Sequence, residues 1–330
     1  MQSIDIWHSD GAVSLHGDEV DVRALEALRA VRSQGGVTRA AAVLHLTPSA
    51  VSQHLASLSR QAGVPLTERA GRGLRLTAAG LALAEAADDV AVALERARTA
   101  VLDAHQAVTG PVRVSAFSSG AELLLPGLLT RLEGSGVEVE CTDEDVPLDD
   151  FAPLTDRIDV VIAHRPEGER AWVGSPGVRV VPLLREPLDV AVPVGHPLVD
   201  LAGEHGGVRP ADLAGQRWIA VKEGFPVAEV LRTVMSAGPE GGGASRVVSR
   251  INDFHVVLEL VAARHGVSLL PRYTCGRHPG VRLLPLLDVR AGRQVDALVR
   301  ADTAERPVVR RVLTELTALA RELAGGASAA

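Results

Sequence analysis

The sequence predicts an α/β chain built in modules: a small N-terminal head of helices with a two-stranded wing, one long helix, and a larger body of alternating strands and helices. Three observations carry this. Between residues 20 and 62 apolar residues recur at helical spacing in three separate stretches, and a short glycine-tipped hairpin follows. From Ala78 a helical pattern runs without a breaker to about Val108. From Val112 onward short apolar runs alternate with amphipathic segments, the pattern of a sheet covered by helices. At 330 residues the chain also exceeds what one core usually takes, so two or three domains are expected.

In the head, Val22, Leu25, Leu28 and Val31 mark a first helix over 20–34, ended by Gly35-Gly36. Thr38 is the expected N-cap of a second helix over 39–44, where Ala40, Ala41 and Ala42 give a small-residue surface that another helix can approach. Thr47 offers a capping oxygen and Pro48 the fixed φ of a first helical position, so a third helix should run from there to about Gln61, stopped by Gly63. Residues 64–76 then read as a hairpin, with Gly71 and Gly73 at its tip among Arg69, Arg72 and Arg75. Thr77 is placed to cap the long helix. Its residues Leu81, Leu83, Ala87, Val90, Leu94, Ala97 and Val101 lie near the 3.5-residue spacing of a coiled-coil seam, so pairing with a second copy is expected. Thr109-Gly110-Pro111 ends it as a hinge.

In the body, strands are expected over 112–117, 137–141, 158–163, 188–194, 217–221, 246–249, 267–270, 282–286 and 294–300. Helical periodicity covers 122–133, 227–237, 253–265 and 307–324, and the alternation suggests a mainly parallel sheet. Gly241-Gly242-Gly243 reads as a loop, since no Lys-Ser or Lys-Thr follows to make a phosphate cradle. The resulting division is an extension at 1–19, a head at 20–77, a linker helix and hinge at 78–110, and a body at 111–330.

Charge separates the modules. The chain carries a net −7, yet residues 20–80 hold eight arginines against three acids, a net +5 that leaves −12 elsewhere. A basic head on an acidic body fits a nucleic-acid-binding module joined to a partner that does not bind nucleic acid. No apolar run reaches a bilayer-spanning length, and the N-terminus lacks the basic start and apolar stretch of a secretion signal, so a cytoplasmic protein with no membrane partner is expected. Cys141 and Cys275 belong to no ligand spacing; two ordinary thiols and a redox pair both stay open. No Ser/His/Asp, metal-ligand or nucleotide constellation is present, so no catalytic residue, metal or cofactor is expected.

The stretch from Thr38 to Leu55, TRAAAVLHLTPSAVSQHL, resembles the helix-turn-helix of LysR-type transcription regulators. So does Gly63-Val64-Pro65-Leu66 together with Arg69 to Gly80, which is similar to that family's wing and the start of its linker helix. Further on, Leu124-Leu125-Pro126, residues 158–163, His196-Pro197-Leu198, Asp212-Leu213-Ala214-Gly215 before Trp218-Ile219, and residues 266–271 resemble its effector domain in the same order. The resemblance implies two subdomains like those of periplasmic solute-binding proteins, at about 111–184 with 279–330 and about 185–278, holding a small molecule between them. It further implies promoter DNA bound by a homodimer or homotetramer, with RNA polymerase as a further partner. The chain departs from the family pattern at Leu28, Val37, Thr67, Ser59 and Gln53.

A recognition helix lays its N-terminal side chains on base edges while hydroxyls and amides hold phosphates. The candidates are Thr38, Thr47, Pro48, Ser49, Ser52, Gln53 and His54, with Arg69, Arg72 and Arg75 on phosphates or the minor groove. Gln53 suits a bidentate contact with adenine. For the effector, Ser118, Ser119 and Gly120 lie where the first strand gives way to a helix, a place suited to an anion. His164, Lys222, Glu223, Asn252 and Asp253 are the expected lips of the cleft. A solvated helix face, or simple helix capping, is the competing reading for each polar residue. A regulator of another winged-helix class, or one with a degenerate sensor, also stays open.

Overall fold

α1 (Val22–Gln34) begins where the Asp21 carboxylate accepts the Arg23 N–H at 2.9 Å, and ends at Gly35 in the left-handed region. α2 (Val37–Val43) starts earlier than expected: its N-cap is Gly36, and Thr38 sits exposed in the first turn rather than capping it. α3 (Pro48–Ala62) forms as its punctuation suggests. Thr47 Oγ1 accepts the Ala50 N–H at 3.2 Å, Pro48 opens the helix, and Gly63 closes it at φ +67°. Leu28, Ala40, Ala41, Val51, Leu55, Leu58 and Leu66 close into one core. Each large apolar side chain buried there contributes on the order of 1.5–3 kcal/mol. The coordinates are a computed structural model that describes residues 21–71, 73–103, 108–172, 174–236, 245–275 and 278–326. The extension at 1–19, Arg72 and the triglycine loop lie outside the described residues.

The wing is the antiparallel pair β1 (Thr67–Ala70) and β2 (Gly73–Leu76). α4 (Ala78–Asp103) follows at once. Thr77 does two jobs at its start: Oγ1 accepts the Gly80 N–H at 3.1 Å and donates to the Pro65 carbonyl at 2.8 Å. Gly80 passes so close to the base of the wing that a Cβ there would fall on the Leu66 carbonyl oxygen. About two turns further along, Asp88 accepts from both Arg29, at 2.7 Å, and Arg32, joining α4 to α1 by charge. Residues 1–106, with 174–178 and 300–306, make one compact unit; 107–173, 179–299 and 307–330 make the other.

The second unit is a mixed sheet covered by helices. Its elements are β3 (Gly110–Ala116), α5 (Ser118–Leu132), β4 (Val137–Asp143), α6 (Phe151–Leu154), β5 (Val160–Pro166) and β6 (Val178–Pro193), followed by α7 (Pro197–His205), β7 (Arg217–Ala220) and α8 (Pro226–Ser236). Then come β8 (Arg246–Arg250), α9 (Phe254–Ala262), β9 (Ser268–Pro271), β10 (Val281–Leu284), β11 (Gly292–Arg300) and α10 (Pro307–Gly326). The strand order is β10-β6-β11-β5-β3-β4, with β9 also on β6, and β7 and β8 pair separately. β3 runs parallel to β4 and β5, whereas β11 meets β5, and β6 meets β9 and β10, antiparallel.

The sheet is therefore mixed rather than mainly parallel, because β6 and β11 carry the chain back across it. β6 is 16 residues long, about twice the expected strand. Pro182, Arg185, Glu186 and Pro187 interrupt its apolar pattern and hide the first half. α5 starts at Ser118, not Glu122, because Ser-Ser-Gly-Ala offers no large apolar residue to register a helical period. In the half of the unit built from β6–β10, Leu188, Val190, Trp218, Val230, Leu231, Val234, Val267 and Leu269 form a core of their own.

Candidate functional site

Two polar surfaces concentrate chemistry, one in each unit. On α3, Val51 and Leu55 are buried, which turns Ser49, Ser52 and Gln53 outward. Thr47 and Pro48 are exposed at the same end. Part of this set is already engaged. Thr47 Oγ1 takes the capping bond and lies 2.9 Å from Ser49 Oγ, and Ser52 Oγ donates to the Pro48 carbonyl at 2.9 Å. His54 is half-buried, its Nδ1 3.6 Å from the Asp21 carboxylate. Among the described residues Gln53 has no partner. In the wing, Arg75 pairs with Glu68 directly across the hairpin at 2.7 Å, whereas Arg69 is exposed and has no ion-pair partner among the described residues.

In the second unit a cleft opens where the ends of β3, β4 and β5 face the segments after β7 and β8. Its free space, mouth included, is about 470 Å³. Ser118, Ser119, His164, Asn252 and Asp253 come together here from three distant stretches of sequence. Phe117, Glu122, Asp145, Val221, Phe225, Val227, Phe254, His255 and Arg293 complete the lining. Three of the expected residues stay out of it. Gly120 is buried against the Phe117 ring, with no room for a Cβ. Lys222 points its side chain to solvent and contributes its N–H to Asn252 Oδ1 at 2.9 Å. Glu223 is held at the surface by Arg250 at 2.6 Å and Arg232 at 3.2 Å.

The floor of the cleft rests on a buried ion pair. Arg293, at the start of β11, is 1% exposed, and Glu186, midway along β6, is fully buried. Arg293 Nε and Nη2 donate to Glu186 Oε2 at 2.9 and 2.6 Å, and the other carboxylate oxygen accepts from the Tyr273 N–H, the Thr274 N–H and the Thr274 hydroxyl, each at 2.9 Å. The remaining arm, Nη1, donates to Ser119 Oγ at 3.0 Å, while the guanidinium lies 4.8 Å from the Phe117 ring centroid. A guanidinium only donates, so Ser119 Oγ is the acceptor and its own hydrogen is free to donate to a ligand oxygen. α5 adds to this: its N-cap is Phe117, which gives no side-chain cap, so the Ser118 and Ser119 N–H groups meet no capping side chain, while the Gly120 N–H goes to the Phe117 carbonyl at 2.8 Å.

His164 stacks on Phe117 with ring centroids 4.2 Å apart. Burial, and secondarily the charge of Arg293, push its pKa well below the usual imidazole range, so the ring is neutral. Among the described residues its Nδ1 has no hydrogen-bond partner. Burial pushes the Asp145 carboxyl up, against the hydrogen bond from Asn252 and the charge of Arg293. Glu122, on the first turns of α5, lies 3.4 Å from His255 on α9. Arg293 carries no sequence signal, since one arginine beside an exposed turn looks like any other. Its partner Glu186 leaves no clearer trace, because it falls in the polar stretch that hides the first half of β6.

A family model described as the LysR substrate binding domain matches residues 105–321, and one described as the bacterial regulatory helix-turn-helix protein, lysR family, matches 22–81. The chain belongs to the LysR family. It is a DNA-binding transcription regulator with an effector-binding domain, and not an enzyme. The DNA-binding transcriptional dual regulator OxyR of Escherichia coli is 23% identical over 286 residues, covering 85% of this chain and 90% of that protein. The malonate utilization transcriptional regulator of Klebsiella pneumoniae is 26% identical over 309 residues, 92% and 94% of the two chains. Among solved structures, a full-length OxyR variant from Pseudomonas aeruginosa shares the fold with a TM-score of 0.57 at 20% identity, covering 91% and 98%. A hydrogen peroxide-bound OxyR variant from Corynebacterium glutamicum does so at 0.54 and 21%, covering 94% and 95%. Among the described residues no helix is long and apolar enough to cross a membrane.

Proposed function

We propose that this regulator works in the cytoplasm, reads promoter DNA with α3 as a dimer or tetramer, and answers to a small molecule with an anionic group held in the cleft at the start of α5. Gln53 reads a base edge, Ser49 and Ser52 meet the backbone, and Arg69, Arg72 and Arg75 hold phosphates. The dimer forms along α4, where Val90, Leu94, Ala97 and Val101 leave an exposed apolar stripe at alternating spacings of four and three, the spacing of a two-helix seam. RNA polymerase is the natural further partner. The effector part divides at about 111–184 with 279–330 and about 185–278, so that the cleft lies between two lobes.

The observation that carries the effector reading is the convergence of Ser118, Ser119, His164, Asn252 and Asp253 over buried Arg293. Ser119 presents a hydrogen and α5 its first amides, a donor set suited to a carboxylate. The name of the malonate regulator is in keeping with a carboxylate-bearing effector. A peroxide response, which the names of other relatives suggest, has no support in the thiols. Cys141 is half-buried and Cys275 buried, and burial pushes both pKa values up, away from the reactive thiolate. The test is a thermal-shift screen of the full chain against carboxylates, repeated on Ser119→Val. A ligand at one hundred times its Kd stabilises by about 2.7 kcal/mol. Stabilisation that Ser119→Val removes supports the cleft; a chain that no carboxylate stabilises is a regulator without an effector.

A further inference from the structure

The charge of the cleft does not suit a plain anion. Glu122, Asp145 and Asp253 line it, against a single guanidinium, Arg293, whose charge is already taken up by the two-bond contact with Glu186 beneath. His164 is neutral and adds nothing. Lys222 acts on Asp145 only from outside the lining. Two of the three carboxylates have work of their own. Asp253 caps α9 by accepting the His255 and Val256 N–H groups at 2.9 and 3.3 Å, and Glu122 faces His255. Asp253 keeps Oδ2 and Glu122 its second oxygen, but Asp145 alone caps no helix and faces no cationic partner among the described residues, meeting only the Asn252 amide.

The second observation is independent of these charges. His164 lines the same cleft at 4% exposure, and its Nδ1 is buried without a partner. With the proton on Nε2, Nδ1 is a bare acceptor that needs a donor from whatever fills the cleft. Donors for a ligand oxygen thus stand at Ser118 and Ser119, and acceptors for a ligand N–H stand at Asp145 and His164.

We infer that the effector brings a cationic nitrogen into the cleft, held by Asp145 and His164, while its anionic group lies at Ser118 and Ser119; it is an amino-bearing acid rather than a simple carboxylate. This rests on the effector reading of the cleft given above. Asp145 is the specificity-determining residue, because it repels a carboxylate that arrives without the nitrogen and pairs with one that carries it.

The test uses the full chain and matched probes by calorimetry: alanine against propionate, aspartate against succinate, phenylalanine against 3-phenylpropionate, with ethylamine and phenethylamine as amines alone. At least one amino acid should bind with a Kd ten-fold or more below that of its nitrogen-free partner. Asp145→Asn should erase that ratio, and Asp145→Glu should retain its direction. If a nitrogen-free acid binds as tightly as its amino partner, or Asp145→Asn tightens both alike, the inference is overturned and the anion reading stands. If no probe of any class binds, the inference and the effector reading fall together. Should Asp145→Asn fail to fold, the wild-type ratio alone decides.

Discussion

The reading helix and the effector cleft use polar side chains in opposite ways. On α3, Gln53 stands in solvent with no partner among the described residues, and Ser52 spends only its own hydrogen on the backbone. In the cleft, Arg293, Glu186, Ser119 and Thr274 form a closed set in which almost every donor and acceptor is matched under full burial. Exposed groups are kept free for a partner that supplies its own phosphates and base edges. Buried groups must satisfy one another first, and of these only one serine hydrogen and one imidazole nitrogen remain for a ligand, beside Ser118 and Asp145 in the lining. The head is thus replaceable residue by residue, whereas the cleft fails as a whole.

The sharpest way to break this contrast is Arg293→Met. It strands the Glu186 carboxylate in the interior and should cost the second unit about 3–5 kcal/mol, read as a lowered denaturant midpoint, with the head's own transition unmoved where the two units unfold separately. Stability equal to wild type would mean that the pair is not buried in solution. Gln53→Ala should leave folding alone and weaken binding to the cognate operator by about 1–3 kcal/mol, with little change on a scrambled duplex. Equal losses on both duplexes would remove Gln53 from base reading.

His164 gives a pH signature of intermediate size. The unfolded chain takes up a proton on this imidazole as pH falls below about 6.5, while the folded chain does not, so stability should fall with pH from there by up to about 1.4 kcal/mol per unit. Replacing it, as in His164→Gln, should flatten the slope of thermal midpoint between pH 7 and 5; an unchanged slope assigns the acid sensitivity elsewhere. Thr47→Ala removes the α3 cap and should cost about 1 kcal/mol of head stability, followed by circular dichroism. The smallest effect is expected from Arg69→Ala, a uniform weakening on all duplexes with the salt slope of binding reduced by about one.

How much of this the sequence discloses depends on where the signal lies. Local punctuation settles the head: Thr47-Pro48, Gly63, the wing glycines and Thr77 each act within a few residues, and each sits in the structure where its chemistry requires. Thr38 is the exception, because Gly36, whose backbone alone turns the chain into α2, takes the N-cap position that the Thr38 hydroxyl suggests. The cleft is only half legible. Ser118, Ser119, His164, Asn252 and Asp253 stand at strand-to-helix junctions, which alternating patterns expose. Arg293 and Asp145 become meaningful only through partners 107 residues away, for the Glu186 pair, or across the cleft, for Asn252. Lys222 and Glu223 mislead for the same reason, since their neighbours Arg250 and Asn252 decide which way they face. No pattern along a single stretch of chain contains such a pairing.

The tight passage of Gly80 beneath the Leu66 carbonyl has a mechanical meaning. With no side chain to hold the two apart, and Thr77 tying the loop before the wing to the opening turn of α4, the head and the first turns of α4 form one lever without a joint. A torque applied anywhere along α4 reaches the operator as rotation of the head rather than as slack in a tether. In the dimer proposed above, the distance between the two α3 helices would then be set by how the two copies of α4 cross.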